Sequence, residues 1–84
     1  MSPRKVPSRL GQKLMMIRVH LGYTLEEMGA AVGRIDTSRR ARVYEWEKGL
    51  RQPDLSSLLR YAELVNISTN DLIDDDVNIN LEQE

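Results

Sequence analysis

Three glycines divide the N-terminal part of the chain into segments that are long enough only for short helices. Gly22, Gly33 and Gly49 each follow a stretch in which apolar residues recur every three or four positions, the spacing of one helix face. Glycine also readily adopts the left-handed conformation in which many helices end. No segment before residue 76 shows the apolar–polar alternation of a strand. These features predict an all-α fold.

Capping residues mark the starts of five predicted helices. Serine, threonine and aspartate accept hydrogen bonds from the free N–H groups at a helix start, and a downstream acidic residue completes a capping box. The predicted starts are Ser8, the capping box Thr24–Glu27, one of Asp36, Thr37 or Ser38, the pair Pro53-Asp54, and the capping box Ser68–Asp71. The predicted core residues of the first four helices are Leu10, Leu14, Ile17, Leu21, Leu25, Met28, Val32, Val43, Trp46, Leu50, Leu55, Leu58, Leu59, Ala62 and Val65.

Charge is divided unevenly along the chain. All twelve Lys and Arg residues lie in residues 1–60, where six acidic residues leave a charge of +6, whereas residues 61–84 hold seven acidic residues and no base. A polyanionic partner is compatible with the net charge of −1, because the local field acts at a contact surface. We predict a flexible basic arm at residues 1–7, a helical domain at residues 8–74 and an acidic tail at residues 75–84.

Composition argues against several classes of protein. The chain has no cysteine, one histidine and no pair of carboxylates at ligand spacing, so we expect no metal site, no cofactor and no enzymatic activity. No apolar run approaches the roughly 20 residues that span a bilayer, and the N-terminus lacks the apolar stretch of a secretory signal. We expect a soluble, cytoplasmic, single-domain protein without a membrane contact.

Four arginines crowd the front of the third predicted helix: Arg34, Arg39, Arg40 and Arg42. Positive charge at a helix N-terminus opposes the helix dipole and lowers stability there. A compensating anion such as DNA phosphate would explain the cluster, and arginine can also donate two hydrogen bonds to guanine O6 and N7. A solvated helix face is the alternative interpretation.

The order of these signals resembles the helix-turn-helix domain of the phage repressor and Cro family, the xenobiotic-response-element type of bacterial regulator. The matching pieces are LGQKLMMIRVHLGYTLEEMGAAVG (10–33) and VYEWEKGLRQPDLSSLLRYAELVNISTNDLI (43–73). The resemblance implies a compact five-helix fold like that of lambda repressor. It also implies sequence-specific binding to double-stranded DNA, with helix 3 (about residues 38–48) in the major groove.

One departure from the family pattern lies between Gly33 and Gly49. Their separation of sixteen positions is a few residues longer than is usual in the family. Either the turn before helix 3 is longer, or helix 3 gains a turn at its N-terminus. The extra residues fall in the arginine-rich front of this segment.

The resemblance assigns DNA contacts to individual side chains. The predicted DNA-binding residues are Thr24, Thr37, Ser38, Arg39, Arg40, Arg42, Tyr44, Glu45, Arg51 and Gln52. Glu45 is expected either to accept a hydrogen bond from cytosine N4 or to pair with a neighbouring arginine. Many relatives have a phosphate-contacting glutamine at the position of Leu25, so that contact is expected to be missing or supplied by Thr24 or by backbone N–H groups.

Other positions match structural residues of the family. Arg18 and Glu47 correspond to an arginine and a glutamate that form an ion pair between helix 1 and helix 3 in family members. Such pairs fix orientation more than they add net stability. Trp46 corresponds to a buried apolar position, so we expect it in the core.

A single domain of this kind covers little DNA, so we expect a homodimer on a two-fold operator, formed in solution or only on DNA. The predicted dimer contacts are Leu72, Ile73, Val77 and Ile79. Transcriptional repression is the expected outcome. The alternative function is a protein-interaction module of the antitoxin-like type. In that case the fold and the C-terminal tail hold a partner protein, with residues 77–81 as an added edge strand.

Overall fold

The computed structural model describes residues 8–81, and these residues form five α-helices. The helices are α1 (Leu10–Leu21), α2 (Leu25–Ala31), α3 (Arg39–Glu47), α4 (Leu55–Leu64) and α5 (Thr69–Ile73). No strand occurs in this part of the chain, so the predicted all-α class is confirmed. The predicted N-terminal arm and the last three residues of the predicted tail lie outside the described residues.

All five helices contribute to one hydrophobic core. Its buried residues are Leu10, Leu14, Ile17, Met28, Val32, Val43, Trp46, Leu58, Tyr61, Ala62 and Leu72. Three predicted core residues are instead exposed: Leu50 by 72%, Leu55 by 81% and Leu59 by 49%. Leu50 falls in the turn after α3. In α4 the inward face carries Leu58, Tyr61 and Ala62, and Leu55 and Leu59 lie off this face.

Side-chain caps begin three of the helices. Thr24 Oγ1 accepts a hydrogen bond from Glu27 N at 3.1 Å while Glu27 Oε1 accepts one from Thr24 N at 2.8 Å, which confirms the predicted capping box. Asp54 caps α4 by accepting from Ser57 N and Ser57 Oγ, and the hydroxyl bond lowers the pKa of Asp54. The sequence predicted a capping box between Ser68 and Asp71 at α5. This prediction is wrong, because Ser68 Oγ accepts its hydrogen bond from Asn70 N.

The start of α1 is capped by a residue from the other end of the chain. Asp75 accepts hydrogen bonds from Ser8 N at 2.9 Å, Ser8 Oγ at 3.1 Å and Arg9 N at 3.0 Å. The sequence predicted Ser8 as the side-chain cap of α1. This prediction is wrong, because the Ser8 hydroxyl donates to Asp75. The bonds from the backbone N–H groups of Ser8 and Arg9 lower the pKa of Asp75. Arg9 adds a hydrogen bond from Nη1 to Asp75 O at 2.6 Å and one from Nη2 to Asn78 Oδ1.

A buried lysine ties α1 to the end of α5. Lys13 is only 1% exposed, and its Nζ donates to Asp71 O at 2.6 Å and to Asp74 O at 2.8 Å. These carbonyls lie at the C-terminal end of α5, where the helix dipole is negative, and they meet the need of a buried ammonium group for acceptors. Ile79 also packs against the core. The described part of the predicted tail thus contacts the domain.

α1 and α3 meet backbone to backbone at Gly11. A Cβ atom added at this position would lie 2.5 Å from Glu47 O and 2.9 Å from Trp46 O. Both oxygens belong to the last turn of α3, and backbone atoms cannot rotate away as a flexible side chain could. Glycine at this position therefore sets the distance between α1 and the C-terminal end of α3.

We expect Gly11→Ala to destabilise the fold by about 2 kcal/mol, because forced overpacking costs more than the gain in helix propensity, which is about 1 kcal/mol for alanine over glycine. Urea unfolding measures this change in the free energy of unfolding. The matched control is Gln12→Ala, at the next, exposed position of the same helix, which should leave stability nearly unchanged. A Gly11→Ala protein as stable as wild type would show that the helices do not meet so closely.

We expect Asp75→Asn to lower the midpoint of thermal unfolding at pH 7. The folded-state pKa of Asp75 lies below its ordinary value, which is about 3.9. Its stabilisation is therefore fully present above about pH 4 and is lost as the pH falls through the folded-state pKa. The difference between wild type and variant should accordingly disappear in acid. Asp76→Asn, at the exposed neighbouring position, is the control, and an equal effect of both changes at pH 7 would contradict the cap.

Candidate nucleic-acid interface

The turn between α2 and α3 contains the extra residues. It spans residues 32–38, and α3 begins at Arg39, so the longer turn is the alternative that the structure adopts. Asp36 organises this turn by accepting hydrogen bonds from Ser38 N at 3.0 Å and from Ser38 Oγ at 2.7 Å. The bond from the Ser38 hydroxyl lowers the pKa of Asp36. Ser38 occupies the N-cap position of α3, and its side chain makes no capping hydrogen bond.

α2 and α3 pack closely because α2 carries a glycine where the helices cross. A Cβ atom added at the buried Gly29 would lie 2.8 Å from Arg39 Cβ. Val43 and Trp46, further along α3, are buried in the core. These contacts fix the rotation of α3 about its axis and decide which of its side chains face outward.

The outward face of α3 borders a groove beside the start of α2. Four residues at helical spacing line it together with Leu25: Thr37, Arg40, Ala41 and Tyr44. The groove has a volume of about 430 Å³, and we call it the α2–α3 groove. Three of the predicted DNA-binding residues thus lie together. Leu25 and Ala41 were not predicted as part of this surface, although the spacing of Ala41 from Thr37 and Tyr44 could have indicated it.

The arginines at the front of α3 differ in their partners. Arg39 Nη2 lies 3.0 Å from Glu26 Oε2 of α2, and Arg42 Nη1 lies 3.3 Å from Glu45 Oε1. Arg40 is exposed, and within residues 8–81 its side chain forms no ion pair and no hydrogen bond. Its guanidinium group is consequently the one at the start of α3 that is open to an external acceptor.

Arg34, the first arginine of the cluster, is tied to the protein itself. It contacts Asp36 at 3.0 Å and Asp54 at 3.9 Å. Its guanidinium carbon also lies 6.0 Å from the centroid of the Trp46 ring, within the range of a cation–π interaction. Arg34 therefore connects the turn before α3 with the start of α4.

Glu45 connects α3 to the loop that follows it. Its Oε1 accepts hydrogen bonds from Arg42 Nη1 at 3.3 Å and from Arg51 Nε at 3.2 Å. Gln52 is exposed beside Arg51. Of the two interpretations of Glu45, the structure contains the arginine pairing.

Lys48 and Thr24 complete the outward surface around Tyr44. Tyr44 is half-exposed, and Lys48 Nζ lies 5.7 Å from the centroid of its ring. Thr24 is exposed at the start of α2, with its hydroxyl oxygen engaged in the helix cap. With Arg40 near the start of α3 and Lys48 directly after its last residue, the surface carries positive charge at both ends of this helix.

Arg18 and Glu47 lie in contact beneath the C-terminal end of α3. Arg18 Nε is 2.6 Å from Glu47 Oε2, and Arg18 Nη2 is 3.1 Å from Glu47 Oε1. Arg18 Nη1 also donates to Tyr23 O at 3.1 Å. The hydrogen bond that Arg18 donates to Glu47 raises the pKa of Arg18. The Glu47 side chain is only 5% exposed, so the pair is shielded from solvent and joins α1 to α3.

One predicted dimer contact requires correction. Leu72 is fully buried in the core of the single chain, so it is not available to a second chain in this fold. Ile73 is exposed, and Val77 and Ile79 are half-buried. These three stay predictions.

The described residues offer no metal site and no membrane span. No group of three or more His, Cys, Asp or Glu side chains within residues 8–81 could hold a metal ion. None of the five helices combines the length and the apolar composition that crossing a membrane requires.

Comparison with protein families identifies the chain. The helix-turn-helix family model matches residues 14–72, most of the chain. The chain belongs to this family, the Cro/C1-type helix-turn-helix regulators, as the sequence predicted, and is a DNA-binding regulator. No curated protein and no solved structure matches it significantly.

We expect Glu47→Ala to reduce the free energy of unfolding by about 3 kcal/mol, because removing one partner of a shielded pair leaves the other charge uncompensated. Glu45→Ala is the matched control on the same helix. Glu45 also pairs with arginines but is a third exposed, so its loss should cost less than 1 kcal/mol. Equal losses in urea unfolding would contradict a special role of the Arg18–Glu47 pair.

Proposed function

We propose that the chain is a sequence-specific repressor that binds double-stranded DNA with α3 in the major groove. The observation that carries this proposal is the open guanidinium group of Arg40 on the outward face of α3. Arginine donates two parallel hydrogen bonds to guanine O6 and N7, the commonest specific contact in the major groove. The buried face of α3, with Val43 and Trp46, leaves this arginine pointing away from the domain.

Phosphate contacts would flank this base contact. Ser38 and Thr37 lie at the N-terminal end of α3, and Arg51 and Gln52 lie in the loop after it. Contacts from such positions to the DNA backbone set the orientation of a domain and carry no sequence information. Thr24 at the start of α2 is a further candidate.

The ion pairs of Arg39 and Arg42 are compatible with phosphate binding. Both pairs are partly exposed, and exposed pairs contribute only about 0–1 kcal/mol. A phosphate group can therefore replace Glu26 or Glu45 as the partner at small cost. In this arrangement Arg39 and Arg42 would add affinity, and Arg40 would add specificity.

Two copies of the domain would bind a two-fold operator. The half-sites would lie one helical turn apart, since each α3 must enter the major groove from the same side of the DNA. Ile73, Val77 and Ile79 are the candidate contacts between the copies, formed in solution or only on DNA. Repression would follow from occupancy alone, because a bound dimer excludes other proteins from the same stretch of DNA.

The alternative function, a protein-interaction module, draws support from two exposed leucines. Leu55 and Leu59 lie one turn apart on the outer side of α4 and could contact a partner chain. The predicted route through the tail is less favourable, because Asp75 and Ile79 contact α1 and the core. These contacts would have to break before the tail could add a strand to a partner.

Selection from a pool of random duplex DNA at two salt concentrations tests the proposed function. We expect the wild-type chain to enrich a two-fold sequence and to lose affinity steeply with salt, because phosphate contacts release counterions. Arg40→Ala should weaken binding to the selected sequence by about 5- to 150-fold, which corresponds to the 1–3 kcal/mol of one bidentate base contact.

Arg60→Ala is the matched control for charge. Arg60 is exposed on α4, so its replacement removes the same charge from a different helix. Sequence preference should survive this change. Absence of any enriched sequence would overturn the proposal and direct attention to a protein partner. Equal losses in the two variants would overturn the assignment of sequence reading to Arg40 on α3.

A further inference from the structure

The α2–α3 groove combines one open cation with a lining that is apolar in part. The lining consists of Arg40, the apolar residues Leu25 and Ala41, and the hydroxyl-bearing residues Thr37 and Tyr44, of which Tyr44 also contributes a ring. Leu25 is packed against the hydrophobic core, so its position is fixed by the fold. Ala41 is exposed and Tyr44 is half-exposed, so both are accessible to a ligand in the groove.

This combination matches two neighbouring bases better than it matches phosphate. In the major groove, guanine presents two acceptors, and thymine presents a C5-methyl group that makes apolar contacts with side chains such as alanine. Cytosine presents an N4 donor at the same edge, and no carboxylate lines the groove. A phosphate group could accept hydrogen bonds from Arg40, Thr37 or Tyr44, but it would find no donor on Leu25 and Ala41, where a thymine methyl group can pack.

We infer that the α2–α3 groove recognises a guanine beside a thymine. Arg40 donates to guanine O6 and N7, and the thymine methyl group packs against Leu25 and Ala41, with the Tyr44 ring alongside. This inference rests on the proposed function and adds the identity of the bases. It also explains why a leucine is compatible with a position at the DNA-facing end of α2.

Replacement of thymine by deoxyuridine tests the methyl contact, since the two bases differ only in that methyl group. The duplex selected by the full chain is resynthesised with each thymine replaced in turn, and binding is measured by fluorescence anisotropy. Each half-site should contain one sensitive position, and replacing that single thymine should weaken binding about fourfold, the equivalent of one buried methyl-sized group. The adjacent guanine is then replaced by 7-deazaguanine, which lacks the N7 acceptor and should also weaken binding.

Two variants assign the methyl contact to this groove. Leu25→Gln and Ala41→Ser should each bring the ratio of thymine to uracil affinity towards one at the sensitive position. Ala41 is exposed, so Ala41→Ser keeps the test valid if Leu25→Gln lowers the stability of the fold. A thermal unfolding curve for each variant accompanies the binding measurement.

The outcomes separate the two proposals. If wild type enriches no DNA sequence, the proposed function and this inference both fail. If it enriches a sequence that tolerates uracil at every position, the proposed function stands and the methyl contact is wrong. Methyl sensitivity that is unchanged in both variants would assign the contact to another part of the protein and overturn the inference.

Discussion

The contact between α1 and the C-terminal end of α3 determines the orientation of α3, the helix that we propose reads DNA. Gly11 lets the two backbones approach until a Cβ atom would collide with Glu47 O. The same glutamate forms the shielded ion pair with Arg18 of α1. At its other end α3 packs on Gly29 of α2. Held at both ends, α3 has one rotation about its axis, and that rotation turns Arg40 outward.

Acidic residues of the fold determine which arginines have an ion-pair partner within the chain. Glu47 and Glu26 hold Arg18 and Arg39, respectively, whereas Arg40 has no such partner in the described part of the chain. The acidic C-terminal segment lies beside a different region, since Asp75 accepts hydrogen bonds from Ser8 and Arg9 at the start of α1. Its contacts are therefore made away from the outward face of α3.

Local signals predicted the helices well, because their causes lie within a few residues. The Thr24–Glu27 capping box and the glycines that follow α1, α2 and α3 are of this kind. Each of these glycines has a positive φ angle. The inward face of α4 was less predictable, because its leucines occur on two sides of the helix and the sequence does not reveal which side Tyr61 shares.

Among the contacts between distant residues, the Arg18–Glu47 pair was expected from the family resemblance, and the others were not predictable from residue patterns. The cap that Asp75 places on α1 joins residues 67 positions apart at Ser8, and the partner of Arg39 lies 13 positions away. Periodicity and capping carry no information at such separations. The sequence predicted the front of α3 as a candidate DNA-binding surface. Only the structure shows which of its arginines lacks a partner within the described residues.

The most direct test of the orientation of α3 is an NMR titration of the ¹⁵N-labelled chain with its selected DNA duplex. We expect the largest amide shifts at Thr37, Arg40, Ala41 and Tyr44, with smaller shifts at Arg51 and Gln52. The amide signals of residues on the outer side of α4, such as Leu59 and Glu63, should keep the chemical shifts that they have without DNA. Shifts concentrated on α4, with the outward face of α3 unchanged, would contradict this orientation.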